Sequence, residues 1–183
     1  MGVQNLLPFL SRATRKRRIE EYANKTVGID GMGWLHRGAV ACAFELLTGK
    51  DSDKFLSFFM RATTNLIAAG VTPIVVFDGD RLPAKKREED ERRRKRESAR
   101  EEALTLIKDG NDFDKIRAKC VSAISVTSEM VLRVINALRA LGVKLIVAPY
   151  EADAQLAYLQ KTGKSTPCWL KTPTSLPTDV TSF

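Results

Sequence analysis

The chain has 183 residues, with 30 Lys and Arg against 22 Asp and Glu, a formal charge of +8. At roughly 100–200 residues per domain this length is one domain, with room for a tail, and 44% apolar residues supply a core, which excludes wholesale disorder. No apolar run approaches the ~20 residues of a membrane span, and the first residues lack a signal-peptide apolar region. Leu6 stands where a myristoylation motif needs Ser or Thr. Cys42, Cys120 and Cys168 are odd in number, far apart and without a C-x-x-C pair, which argues against a disulfide framework or a zinc site and for a reducing, intracellular compartment. His36 is the sole histidine, which excludes His-rich metal sites and most Ser-His-Asp chemistry.

In chain order, the first element is a basic run at residues 12–18 (RATRKRR), with five positive charges and no negative one. KTVGI at 25–29 follows as the first of three Val/Ile-rich runs; TPIVVF at 72–77 and VKLIVA at 143–148 are the others. Each is apolar nearly throughout and precedes helical periodicity, which predicts parallel strands buried on both faces and an α/β fold. Trp34 to Leu47 and Lys54 to Ala69 read as helices, the second stopping at Gly70. Residues 79–127 exceed a minimal connection between parallel strands. They read as an inserted helical arch over one end of the sheet, opening with a second charged run, RLPAKKREEDERRRKRESAR at 81–100. The clearest helix covers 128–141, where Met130, Val131, Val134, Ile135, Leu138 and Leu141 repeat at helical spacing. Thr127 or Ser128 suits its N-cap and Gly142 its C′ position. Residues 164–183 change character abruptly: three prolines among many Ser and Thr predict neither helix nor strand.

The second basic run carries ten basic and five acidic residues. Three readings fit such a run: a solvated helix face, a nuclear-localisation patch at Arg92–Arg96, or a surface for nucleic-acid phosphates. The acids decide among them. The three strands run into Asp30, Asp78 and, just past Pro149, Glu151 and Asp153. Open α/β sheets bind ligands beyond the carboxyl ends of their strands. A single acid there is usually a turn residue, and acids in a first helical turn also meet the helix dipole. Acids at three strand ends would repel one another unless a hard cation joined them, and Mg2+ or Mn2+ prefers such oxygen ligands. Residues two apart on a helix point about 200° from each other, so Glu151 and Asp153 share a site only if Glu151 is the cap or one acts through water. Lys85, Lys86, Arg87 and Arg92 begin seven residues after Asp78 and lie where they can cover such metals. Carboxylates beside a basic insertion point to two-metal phosphodiester chemistry, and phosphate binding becomes the favoured reading of the run.

With these residues in view, MGVQNLLPFL, VGIDGMGWLHRGAVACA, VVFDGDRLPAKKREEDERRRKR and above all APYEADAQLAYL resemble the structure-specific 5′ nucleases of the flap endonuclease (XPG-type) family, nearest its exonuclease 1 branch, over residues 1–163. The resemblance implies a PIN-like α/β core, truncated on its C-terminal side, with an arch at 79–127. It also implies a Mg2+-dependent 5′→3′ exonuclease or 5′-flap endonuclease, working in the nucleus on DNA ends, nicks and flaps during repair and recombination. Asp30, Asp78, Glu151 and Asp153 then look like the metal acids, and Lys85 and Arg92 like the arch residues that steer the scissile phosphate. Gly2, His36 and Arg96 look like further DNA contacts. Met32 stands where the family commonly has an aromatic, and Trp34 and His36 each read equally well as structural. The family continues after AYLQKTG into a strand and two more metal aspartates, then a helix–hairpin–helix; here the only later acid is Asp179. Codons for residues 164–183 can be chosen so that a shifted frame reads VDAVLAEDSDLVAYGCDVV, the continuation the family would supply. Residues from about Lys164 onward are therefore expected to be a frame-shifted or mis-spliced, disordered end. Two alternatives to an active DNA nuclease stay open: a catalytically inactive DNA-binding fragment, and a nuclease acting on RNA.

Overall fold

The computed structural model describes residues 15–166 and 179–182, with side chains placed between Arg18 and Thr166. Its centre is a parallel sheet of three strands, β2 (Thr26–Asp30), β3 (Thr72–Phe77) and β4 (Lys144–Val147), in spatial order β2-β3-β4. Thr26 to Asp30 lie opposite Thr72 to Val76, and Ile74 to Phe77 opposite Lys144 to Val147, so all three strands point their carboxyl ends the same way. The first two runs behave as anticipated: Val27, Ile29, Val75 and Val76 are almost fully buried. The third does not: β4 is an edge of the three-stranded sheet, Lys144 is exposed, Leu145 and Ile146 are half-buried and Val147 is 61% exposed.

Seven helices complete the described core: α1 (Gly31–Val40), α2 (Ala43–Leu47), α3 (Lys54–Ala68), α4 (Lys86–Lys108), α5 (Phe113–Ser122), α6 (Ser128–Ala140) and α7 (Ala152–Lys161). The large hydrophobic cluster lies on one face of the sheet, where Leu35, Phe55, Phe59, Leu66, Val134 and Leu138 interlock with Val75 and Phe77. The other face carries a much smaller cluster of Ile74, Val76, Ala148, Ala152 and Leu159, covered by α7. The arch consists of α4, which is 23 residues long and buries only Ala99 and Ala103, and of α5, which packs against it.

Most boundaries fall where the residues put them. The Thr127 hydroxyl accepts the Met130 N–H at 3.3 Å and Gly142 follows α6 at φ 69°, the two caps anticipated for that helix. Two expectations need correction. The helix expected over 34–47 is broken: α1 ends at Val40, and Cys42, at φ −126°, caps a separate α2. In the tail, Asp179–Ser182 pairs antiparallel with β1 (Arg15–Arg18), because Val180 and Thr181 are β-branched and lie beyond the last proline. Thr166 also joins the sheet, in a parallel bridge to Val27, its N–H donating to the Thr26 carbonyl at 2.7 Å. Lys164 and Ser165 are placed as well, both N–H groups donating to the Leu159 carbonyl at 2.8 and 3.2 Å; the remainder of the expected disordered end lies outside the described residues.

Candidate nuclease site at the sheet edge

Asp30 is the last residue of β2 and the N-cap of α1; its carboxylate accepts the Gly33 N–H at 3.0 Å. Asp78 directly follows β3, and its carboxylate accepts the Ala152 N–H at 2.7 Å, at the start of α7. Glu151 is the N-cap of α7, with φ −90° and ψ 137°, and Asp153 stands in the first turn. The cap position removes the helical conflict between residues two apart: Glu151 leaves the chain before the helix begins.

The two loops carrying these acids are joined by backbone. The Gly79 N–H donates to the Tyr150 carbonyl at 2.7 Å and the Asp80 N–H to the Pro149 carbonyl at 3.0 Å. A Cβ on residue 79 would stand 1.8 Å from the Ala148 carbonyl oxygen, so only glycine permits this approach. The spacing between Asp78 and Glu151 is thus set by main chain.

Charge accumulates at this edge. Burial first, then the charges of Asp78 and Asp153, push the Asp30 carboxyl above its ordinary range, against the lowering bond from Gly33. Lys85, in the short 3-10 turn Pro83–Lys85 that leads into α4, donates its ammonium to Glu151. That bond, with lesser help from the charges of Glu151, Glu88 and Asp153, raises the Lys85 pKa. Two residues 66 positions apart therefore meet across the site. The donor set, all carboxylate oxygen, suits a hard divalent cation. Among the described residues, however, no three metal-binding side chains are grouped closely enough to hold one.

Beside Asp78 lies a cleft of about 360 Å³ between α1 and one stripe of α4, which Glu89 and Asp90 also line. Met32 and His36, one turn apart on α1, form one wall; Arg92, Arg93 and Arg96 form the other, and Ile124–Val126 close the end. The cations are held lightly: Arg92 sits 4.0 Å from Glu88, Arg93 3.7 Å from Asp90, and Arg81 3.7 Å from Glu89, all largely exposed. Partial desolvation, then Arg96, lowers the His36 pKa, which keeps the ring neutral beside the cations. Trp34 belongs to the core: it is 3% exposed and meets Phe59 edge-on at 5.6 Å. Gly2 lies outside the described residues.

The arrangement thus gathers Asp30, Asp78, Glu151, Asp153 and Lys85 at the edge, and His36, Arg92 and Arg96 around the cleft. Sequence reasoning had not included Arg81, Arg93 or the 124–126 segment as lining. For Arg93 a signal was present, since 89, 92, 93 and the already named 96 share one helical face. For the loop there was none.

Residues 1–99 match the XPG N-terminal domain and residues 142–170 the XPG I-region. The chain belongs to the XPG family. It is 44% identical over 162 residues to exonuclease 1 of Xenopus laevis, spanning 88% of this chain and 22% of that protein. With exodeoxyribonuclease 1 of Schizosaccharomyces pombe the identity is 41%, over 88% of this chain and 28% of the relative. The chain thus spans between a fifth and three tenths of the length of these two curated relatives. In fold it is similar to the catalytic core of Rad2 in complex with DNA substrate, with TM-score 0.67 at 20% identity over 100% of this chain and 54% of that one. Flap endonuclease-1 from Methanococcus jannaschii gives 0.60 at 21% identity, over 92% and 59%. The second matched region includes Glu151 and Asp153, and the first includes Asp30, Asp78, Lys85 and Arg92.

Proposed function

We propose that this chain carries the first part of a divalent-metal-dependent 5′→3′ exonuclease and 5′-flap endonuclease acting on DNA in the nucleus, in repair and recombination. The observation that carries the reading is the placement of Asp30, Asp78, Glu151 and Asp153 at the carboxyl ends of three neighbouring strands, with Asp78 also lining the cleft that Arg92, Arg93 and Arg96 border. The four carboxylates would hold Mg2+ or Mn2+; when bound, a pair of such ions lowers the pKa of water and stabilises the leaving oxygen of an in-line displacement. The protein's own groups do the rest. Lys85 and Arg92 place cationic donors beside the carboxylates, where the scissile phosphate gains charge, and Arg93 and Arg96 bind neighbouring phosphates along the same stripe. Met32 and His36 offer an apolar contact and a neutral ring to the bases or sugar at the far wall.

A binding-only reading has its own support: the absence, among the described residues, of a three-ligand group, and the engagement of Glu151 by Lys85. One assay separates the two. A 5′-labelled flap and a recessed-end duplex are incubated with the purified chain, with and without Mg2+, beside Asp78→Ala. Mg2+-dependent release of nucleotides that Asp78→Ala abolishes supports the nuclease. Salt-sensitive retention of DNA without cleavage supports the binding fragment. Equal cleavage by Asp78→Ala removes the metal role of this edge, and faster cleavage of an RNA duplex would reassign the substrate.

A further inference from the structure

A second cavity, of about 460 Å³, opens behind the arch and away from the four acids. Its size falls within the roughly 300–1,000 Å³ of small-molecule sites. The floor is apolar, with Leu47, Phe55 and Met130 buried and Cys120 beside them. The rim is polar and comes from the α2–α3 loop, α4, the end of α5 and the first turns of α6. Apolar floor with a few convergent polar groups is the usual make-up of a ligand site.

The rim charges decide the ligand's sign. Arg133 is already committed: its guanidinium donates to Asp51 at 3.0 Å and to Asp53, and lies over the Phe55 ring at 5.6 Å. That guanidinium is shared by two carboxylates; within the lining, Lys50, Arg100 and Arg133 stand against Asp51 and Glu129, one positive charge in surplus. Lys50 and Arg100 remain, and neither side chain has a hydrogen bond or ion pair with a described residue. Against them stands Glu129, in the first turn of α6, where the helix dipole offsets its charge. Two cations with no bonded side-chain partner among the described residues, Lys50 with the charge of Glu45 nearby, over an apolar floor favour an anionic group attached to a flat apolar body.

We propose that this cavity is a second binding site, for a phosphomonoester of nucleoside-monophosphate size, with the phosphate between Lys50 and Arg100 and the apolar body against Phe55 and Met130. The inference goes beyond the nuclease reading and does not depend on it. Two features couple the sites physically. Ile124 and Ser125 line both the cavity and the catalytic cleft, and Arg100 continues the α4 face that bears Arg92, Arg93 and Arg96. A ligand here bears on the wall and the helix that the DNA cleft uses.

Two methionines make the test direct, because Met130 lines the cavity and Met32 the cleft. The purified chain, labelled at methionine methyl carbons, is titrated with 5′-deoxyadenosine monophosphate in EDTA and followed by NMR. The Met130 signal should move saturably, and Lys50→Ala with Arg100→Ala should weaken that binding at least tenfold. Both side chains are exposed, so the fold should survive, as a circular dichroism melt will report. Lys85→Ala with Arg92→Ala should leave the Met130 titration unchanged. Several results overturn the proposal. Movement of Met32 alone puts the nucleotide in the cleft, and no movement leaves the cavity without a ligand of this class. Equal binding of deoxyadenosine shows that the cations take no part. An oligonucleotide that shifts Met130 as readily as the mononucleotide makes the cavity part of a DNA path instead.

Discussion

Lys85 and Arg92 lie seven residues apart in one basic run, yet they meet different partners. Lys85 reaches across to Glu151, whereas Arg92 faces the cleft, its one ion pair among the described residues the long 4.0 Å contact with Glu88. Under the proposed nuclease function a cation poised this way would act where charge develops on the phosphate, so Arg92→Ala should lower kcat on the order of 100-fold while DNA affinity changes little. Arg94, on the same helix but outside the cleft lining, is the internal control; its alanine variant should stay near the parent rate. Equal losses would return the run to a solvated face. Asp30 supports a second test. Its folded-state carboxyl is raised by burial and by Asp78 and Asp153, so the folded chain holds that proton more tightly than the unfolded chain. The resulting penalty is absent below the ordinary Asp range, and it grows as pH rises through the folded-state value. Asp30→Asn keeps an oxygen for the Gly33 N–H and removes the charge. In EDTA it should melt above the parent at neutral pH, with the gap closing on acidification. A gap constant with pH would trace the gain to something other than ionisation.

Among the elements, the loop–loop junction at Gly79 has the least tolerance. Gly79→Ala would drive a methyl into the Ala148 carbonyl, so the β3 and β4 ends must part, at a cost of about 1–3 kcal/mol. Chemical denaturation should register that loss, and cleavage should fall further than stability does, because Asp78 and Glu151 move with their loops. Full activity in this variant would mean that their spacing is immaterial. The strands and α6 were legible in the sequence, since β-branched runs and an unbroken helical period each have one stable reading. The break between α1 and α2 was not. Ala41 and Cys42 are not helix breakers, and the turn answers to tertiary packing, where the Gly38 position would meet the Phe55 backbone at 2.9 Å. The acids themselves were legible as strand-end residues. The Lys85–Glu151 contact was not, because nothing in the 66 intervening positions fixes how α4 leaves the sheet.

Seen as a whole, the molecule is lopsided about its sheet. Asp30 and Asp78 end strands that are locked to the large cluster, while Glu151 and Asp153 ride on α7, held by Ala152, Leu156 and Leu159 over a thin layer. Local opening free energy follows the apolar contacts that must be broken, so one half of the acidic edge belongs to a slow-opening region and the other to a fast one. Amide hydrogen exchange should show two clocks: days-long protection in β2 and β3 against much faster exchange through α7. Anything that bridges the two halves must slow the fast clock. A divalent ion at 100 times its Kd would add about 2.7 kcal/mol to the opening of α7, slowing its amides roughly a hundredfold, and the same to any opening of β2 that frees Asp30. If α7 exchanged no more slowly with Mg2+ present, the ion would be resting on the strand acids alone.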